Sequence, residues 1–129
     1  MAASKPIQLI LARQLASCVA IPILLLDENG TLVYFNEAAE GIIHQRFDET
    51  GEISAEELVG LIEVLDEDRR PIPREQRPTW IARLQRRPVS RTIWTRTKNT
   101  EWRHLQATAV PLVAEANQFV GIMHLFWAI

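Results

Sequence analysis

The last third of the chain restricts the fold most. Val89 to Thr97, Trp102 to Val113 and Phe119 to Trp127 are rich in β-branched and aromatic side chains. Only two short segments separate them, Lys98-Asn99-Thr100-Glu101 and Ala114-Glu115-Ala116-Asn117. Such runs, broken by turn residues, read as strands joined by hairpins. Strands connected this tightly pair antiparallel, because a parallel pair needs a crossover of about a dozen residues.

The first third adds another hairpin. Ile21 to Leu26 is a short apolar run in which Pro22 suits the first position of a strand. Asp27-Glu28-Asn29-Gly30 is a turn, and Thr31 to Phe35 pairs back. Upstream, Ile7, Ile10, Leu11, Gln14, Leu15 and Cys18 recur at helical spacing, giving a helix over Ile7 to Val19. Between the hairpins the sequence predicts three helices. Asn36 caps the first, which carries Ile42 and Ile43. Ser54 and Glu57 form a capping box for the second, whose stripe is Leu58, Leu61, Ile62 and Leu65. The third runs from Arg74 to Arg87, with Pro78 in its first turn and Ile81 and Leu84 turned inward. Helix, hairpin, helical block and three strands make an α+β fold with a mostly antiparallel sheet.

The 129 residues suffice for one core, and a net charge of −2 gives no global field towards nucleic acid. Cys18 is the single cysteine, which excludes an intrachain disulfide and fits a reducing compartment. The apolar N-terminal stretch is interrupted by Gln8, Arg13, Gln14, Ser17 and Pro22, too often for a bilayer-spanning helix of about 20 residues. The expected location is cytoplasmic, with no membrane span.

Three segments, PILLLDENGTLVYFNEAAE, LDEDRRPIPREQRPTWIARLQRRPVS and EWRHLQATAVPLVAEANQFVGIMHLFWAI, resemble the PAS family in order and spacing. They look like its opening hairpin with an Asn-capped helix, its long helix in bacterial sensors and its closing hairpin. The resemblance covers Ile21 to Ile129 and implies a PAS-like five-stranded antiparallel sheet with short helices on one face, usually as a dimer. It divides the chain into an N-terminal amphipathic helix over 1–20, acting as a dimerisation cap, and a PAS domain over 21–129. Ala128 departs from the pattern, standing where the family often has the acidic residue of Asp-Ile-Thr. Asn99-Thr100 replaces the usual Asp-Gly turn.

Strand alternation puts Leu105, Ala107 and Ala109 on one face and His104, Gln106, Thr108 and Val110 on the other. By resemblance, Ile122, His124 and Phe126 face inward and Met123, Leu125 and Trp127 outward. The expected ligand pocket is Leu24, Leu26, Ile42, Leu58, Ile62, Trp80, Ile81, Leu84, Leu105, Ala107, Ile122, His124 and Phe126. The expected homodimer interface joins Ile7, Ile10, Leu11 and Leu15 to Met123, Leu125 and Trp127, since an exposed apolar patch of that kind marks an interface. The alternative is that the helix folds back on its own sheet in a monomer.

Haem needs an axial ligand, most often His. The family's oxygen sensors carry it on the long helix, and Arg74 to Arg87 has none, so haem is not expected. Covalent flavin chemistry is excluded, because Cys18 precedes the domain and no Asn-Cys-Arg string occurs. Asp66, Glu67 and Asp68 read as a solvated turn rather than a metal site. No phosphate loop or nucleophile motif occurs, and no catalytic residue is assigned. Arg83, Arg86, Arg87 and Arg91 read as the basic end of a helix, or one of them anchors a carboxylate at the pocket mouth. The expected role is a non-catalytic regulatory module in signal transduction. It binds a small apolar or amphipathic ligand, fatty-acid-like or an organic acid, or dimerises, to control an effector domain or partner protein. Two alternatives are a protein–protein interaction module with a filled core and a small α+β enzyme with a cone-shaped pocket built around His124.

Overall fold

The fold comes from a computed structural model, which describes residues 5–129. The first four residues of the expected N-terminal segment lie outside that range. Helix α1 (Ile7–Ala16) leads to strands β1 (Ile23–Asp27) and β2 (Leu32–Phe35). Three short helices follow, α2 (Glu37–Ile43), α3 (Phe47–Thr50) and α4 (Ala55–Leu61). Strand β3 (Ile62–Leu65), helix α5 (Pro78–Gln85), β4 (Val89–Thr97), β5 (Arg103–Val113) and β6 (Phe119–Ala128) complete the chain. The sheet order is β2-β1-β6-β5-β4-β3, and every pair is antiparallel.

The sheet therefore has six strands, where five were expected. The second predicted helix stops at Leu61, and Ile62 to Leu65 pairs with β4 from Ile62–Thr97 to Leu65–Trp94. Ile62 and Leu65 fit a helical stripe, but Ile62 and Val64 are β-branched and β4 would otherwise be an open edge. Thr95 Oγ1 donates to the Glu63 carbonyl at 3.0 Å, and Arg96 pairs with the Glu63 carboxylate.

The third helix also begins later than predicted. Arg74–Gln76 is a single 3-10 turn, and α5 starts at Pro78. Arg77 is extended (φ −73°, ψ 140°), as the residue before a proline is driven to be. From that start, Pro78 and Ala82 form the buried face, and Ala82 packs on Ala109 and Ile122. Leu84 follows Ala82 by two residues, about 200° around the helix, and is 64% exposed. It does not face inward.

The main core lies between the inner sheet face and α2, with Phe35, Leu32, Ile43, Ile93, Leu105 and Phe126. A second core lies on the outer face. There α1 folds back and buries Leu9, Ala12 and Ala16 against Ile23, Leu25 and Val33, with Met123 and Leu125 packed alongside. The expected stripe is on the other side of this helix: Ile7 is 63% exposed and Leu11 55%. The two small alanines let the backbone of α1 approach the sheet closely, so the bulkier stripe is turned out. Arg13 fixes the helix laterally, 4.6 Å above the Tyr34 ring.

Candidate functional site

The buried threonines of β4 and the two cap residues of α2 position the helical wall over the sheet. Asn36 caps α2 by accepting from Ala39 N at 3.0 Å. At the other end His44 takes a left-handed conformation (φ 60°). The Ile42 carbonyl accepts from Thr97 Oγ1 at 2.7 Å. Ser54 caps α4, accepting from Glu57 N at 3.2 Å.

Between this wall and the inner sheet face is a cavity of about 230 Å3. It is bordered by Leu24, Ile42, Leu58, Ile62, Ala107, His124 and Phe126 of the expected set, together with Val59, Val64, Ile72, Arg77, Pro78, Thr79, Ile93 and Thr95. Leu26, Leu105 and Ile122 are packed core beside it. Trp80 and Ile81 lie outside it, because α5 turns Pro78 and Ala82 inward. Trp80 instead sits under the Arg74 guanidinium at 4.5 Å. Residues of β3 enter the wall because this segment is a strand.

The arginine at the cavity is Arg77, outside the run considered from sequence. Its Nε donates to the Ile72 carbonyl at 3.3 Å, and it also borders the shallow groove along β3, which places it at the rim. The run itself is dispersed. Arg86 donates to the Asn117 carbonyl at 3.1 Å, Arg91 to the Gln76 carbonyl at 3.2 Å, and Arg87 to Gln85.

Of the three histidines, only His124 borders the cavity. His44 is exposed at the end of α2. His104 is on the outer face, stacked on Trp94 with centroids 4.3 Å apart. His124 sits between Leu24 of β1 and Ala109 of β5. Its Nε2 is buried and has no hydrogen-bond partner. Burial pushes its pKa from 6.5 down to about 4, so the ring is neutral at pH 7. The unfolded chain then binds a proton between pH 6.5 and 4 that the folded chain does not. Stability is expected to be full above pH 6.5 and to fall as pH drops through that window, by about 2 kcal/mol at pH 5. Denaturant melts of wild type and His124→Phe would check this, with the slope absent in the variant.

Asp66, of the acidic turn, accepts Asp68 N and Arg70 N on Oδ1, each at 2.9 Å. Among the described residues, no group of three or more His, Cys, Asp or Glu is arranged to hold a metal ion, and no helix is long and apolar enough to cross a membrane.

No family model and no curated protein matches the sequence. Solved structures do. The PAS domain of BvgS from Bordetella pertussis superposes with a TM-score of 0.64 at 17% identity, over 95% of this chain and 85% of that one. The chain has a PAS fold. The PAS domain of nitrogen regulation protein NR(II) from Vibrio parahaemolyticus gives 0.64 at 16% identity, over 92% and 98% of the two chains. A fungal LOV domain photoreceptor gives 0.60 at 14%, over 85% and 74%. The cavity therefore lies between the helices and the concave face of a PAS sheet.

Proposed function

We propose that this chain is a sensory PAS module of signal transduction, without catalytic activity, that binds one small amphipathic molecule in the cavity between its helices and the inner sheet face. The observation that carries this reading is a mostly apolar space of about 230 Å3 bordered by a few polar residues, Arg77, Thr79, Thr95 and His124. Ligand sites are mostly apolar with a few placed polar groups. The volume equals about eight waters in the liquid and is below the roughly 300 Å3 at which pockets for drug-sized ligands begin. That favours a single ring or a short chain over a porphyrin or a flavin. The enzyme alternative is disfavoured because His124 has no carboxylate partner. Native mass spectrometry of gently purified protein tests the proposal. A retained mass of that size supports it, and an apo mass from a chain that also binds no small molecule leaves the filled interaction module as the better account.

The state of the cavity has a physical route to α1. Ile42 of its wall belongs to α2, and the cap of α2, Asn36, also donates to the carbonyls of Ala16, the last residue of α1, and of Ile21 beyond it. Ile7, Ile10, Leu11 and Leu15 are exposed together on α1, a patch suited to a second copy of the chain. One similar structure, the fungal photoreceptor Vivid, is a light-state dimer. The dimer face is now narrower than expected from sequence, because Met123 and Leu125 lie beneath α1. Leu11→Glu with Leu15→Glu is expected to convert a dimer to a monomer in light scattering and to remove the concentration dependence of the melting temperature. A wild-type monomer at high concentration would remove this part of the proposal.

A further inference from the structure

From Arg69 to Arg91 the chain holds eight arginines and a single acid, Glu75. Among the described residues, none of the eight forms an ion pair with a carboxylate. Those around α5 are ordered by neutral groups instead. The Arg74 guanidinium lies 4.5 Å above the Trp80 ring. Arg83 and Arg86 lie over Phe119 at 5.6 and 5.3 Å. A guanidinium stacked on a ring keeps its N–H edge for an anion, and a side chain ordered beforehand loses less entropy on binding. Helix geometry gathers these groups. Pro78 and Ala82 make the buried face of α5. Trp80, Arg83 and Leu84 stand at i, i+3 and i+4 on the opposite side. Leu84 is exposed and Trp80 half-buried. They form an apolar ridge one helical turn long, accompanied by the guanidiniums of Arg74 and Arg83.

We propose that the outward face of α5 is a docking surface for an acidic, amphipathic segment of a partner protein, with its apolar side chains on Trp80 and Leu84 and its carboxylates on Arg74 and Arg83. Charge complementarity names the occupant: cations that lack a carboxylate in their own chain fit a partner that brings one. Tryptophan and arginine are also the residues that most often dominate the energy of protein interfaces. A polyanion of longer reach fits less well. The net charge of the chain is −2, and Asp27 and Glu28 border the same shallow hollow as Trp80 and Arg83. The phosphates of a duplex or of a lipid surface would meet like charge there, whereas a short segment stops at that boundary. The surface stands whether or not the cavity, which Pro78 borders from the buried side of α5, holds a ligand.

The test titrates the isotope-labelled full chain with a peptide of repeating Glu-Glu-Leu-Leu and follows it by NMR. The Trp80 indole and Leu84 amide resonances are expected to shift. Repeating Gln-Gln-Leu-Leu, without carboxylates, and repeating Glu-Glu-Ser-Ser, without apolar side chains, should each bind about tenfold more weakly. Arg74→Gln with Arg83→Gln should weaken the acidic peptide about tenfold, and Leu84→Ala about fivefold. All three positions are exposed, so the melting temperature should change little. Arg46→Gln, at an exposed arginine before α3, should leave the affinity unchanged. Resonances of Trp80 and Leu84 that stay in place, or an equal loss in Arg46→Gln, would overturn the proposal. So would equal binding of Glu-Glu-Ser-Ser and Glu-Glu-Leu-Leu, because charge alone would then suffice. Tighter binding of a DNA duplex or of phosphatidylglycerol vesicles at the same resonances would give the surface to a phosphate-bearing partner and overturn it as well. The mass retained in native mass spectrometry is a separate measurement, so the ligand reading and this surface stand or fall independently.

Discussion

Asn36→Ala is expected to destabilise the fold by about 4 kcal/mol, the sum of a lost helix cap of about 1 kcal/mol and orphaned buried groups at about 1 to 3 kcal/mol each. For a chain of this size that lowers the melting temperature by on the order of 15 °C. Asn36 is 1% exposed. Its Oδ1 accepts from Ala39 N, the cap of α2, and from Ile23 N, the first residue of β1, both at 3.0 Å. Its Nδ2 donates to the carbonyls of Ile21 at 2.8 Å and Ala16 at 3.0 Å, with Val19 at 3.4 Å. One amide thus satisfies backbone from the end of α1, the α1–β1 connection, β1 and α2. Alanine would leave the Ile23 N–H and the Ile21 carbonyl without these partners in a water-excluded place.

The chemistry of the substitution separates the two jobs. Asn36→Ser retains a cap oxygen for Ala39, so about 1 kcal/mol of the loss should return. A hydroxyl cannot replace an amide that bonds in two directions, so the larger part should remain. Asn36→Asp keeps the acceptor and turns a second oxygen towards the Ile21 and Ala16 carbonyls. It should be no better than alanine at neutral pH, because a buried carboxylate facing acceptors is unpaired. Chemical denaturation of the three variants would order them Ser, then Ala, with Asp at or below Ala. If serine restored full stability, the bonds to the α1 connection would be unimportant. Limited trypsin digestion gives a local readout, with faster cleavage at Arg13 expected in Asn36→Ala if α1 is loosened.

The cap role of Asn36 was legible from its place before Glu37-Ala38-Ala39-Glu40, as were the hairpin turns at Asn29-Gly30 and Lys98–Glu101. These are local signals, in which a residue's conformation and the backbone group it serves lie within a few positions. The inward set Leu105, Ala107 and Ala109 was legible for the same reason, since a period of two survives any tertiary arrangement. What was missed depends on distant partners. Ile62 to Leu65 became a strand because the edge of β4 was open. α1 presented Leu9, Ala12 and Ala16 because small residues pack closest to the sheet, whereas periodicity alone singled out the larger stripe. Arg77 reached the cavity rim because Pro78 resets the start of α5, a signal that was present in the Arg-Pro pair. The unpaired Nε2 of His124 has no local signature at all.

Gly121→Ala is the second substitution expected to be severe, at about 3 kcal/mol or more, the upper range for forcing an atom into a packed site. Gly121 lies opposite Asp27 on β1 and Leu112 on β5. A Cβ there would stand 2.5 Å from the Leu26 carbonyl oxygen and 3.0 Å from Leu9 Cδ2. The requirement for glycine is therefore close approach, with β1 on one side and α1 above. Leu9 can change rotamer or be trimmed, but the Leu26 oxygen belongs to the strand backbone and cannot move without opening the β1–β6 pairing. The double variant Gly121→Ala with Leu9→Ala distinguishes the two obstacles. Leu9→Ala alone should cost about 2 to 5 kcal/mol as a buried leucine truncation. In the double variant the losses should be close to additive, with only a few tenths of a kcal/mol recovered from relief of the 3.0 Å contact. A recovery of most of the glycine loss would place the constraint in the α1 side chain and free the strand pairing from it. Near-additivity, measured by urea denaturation on all four proteins of the cycle, would locate it in the backbone of β1, at the Leu26 carbonyl.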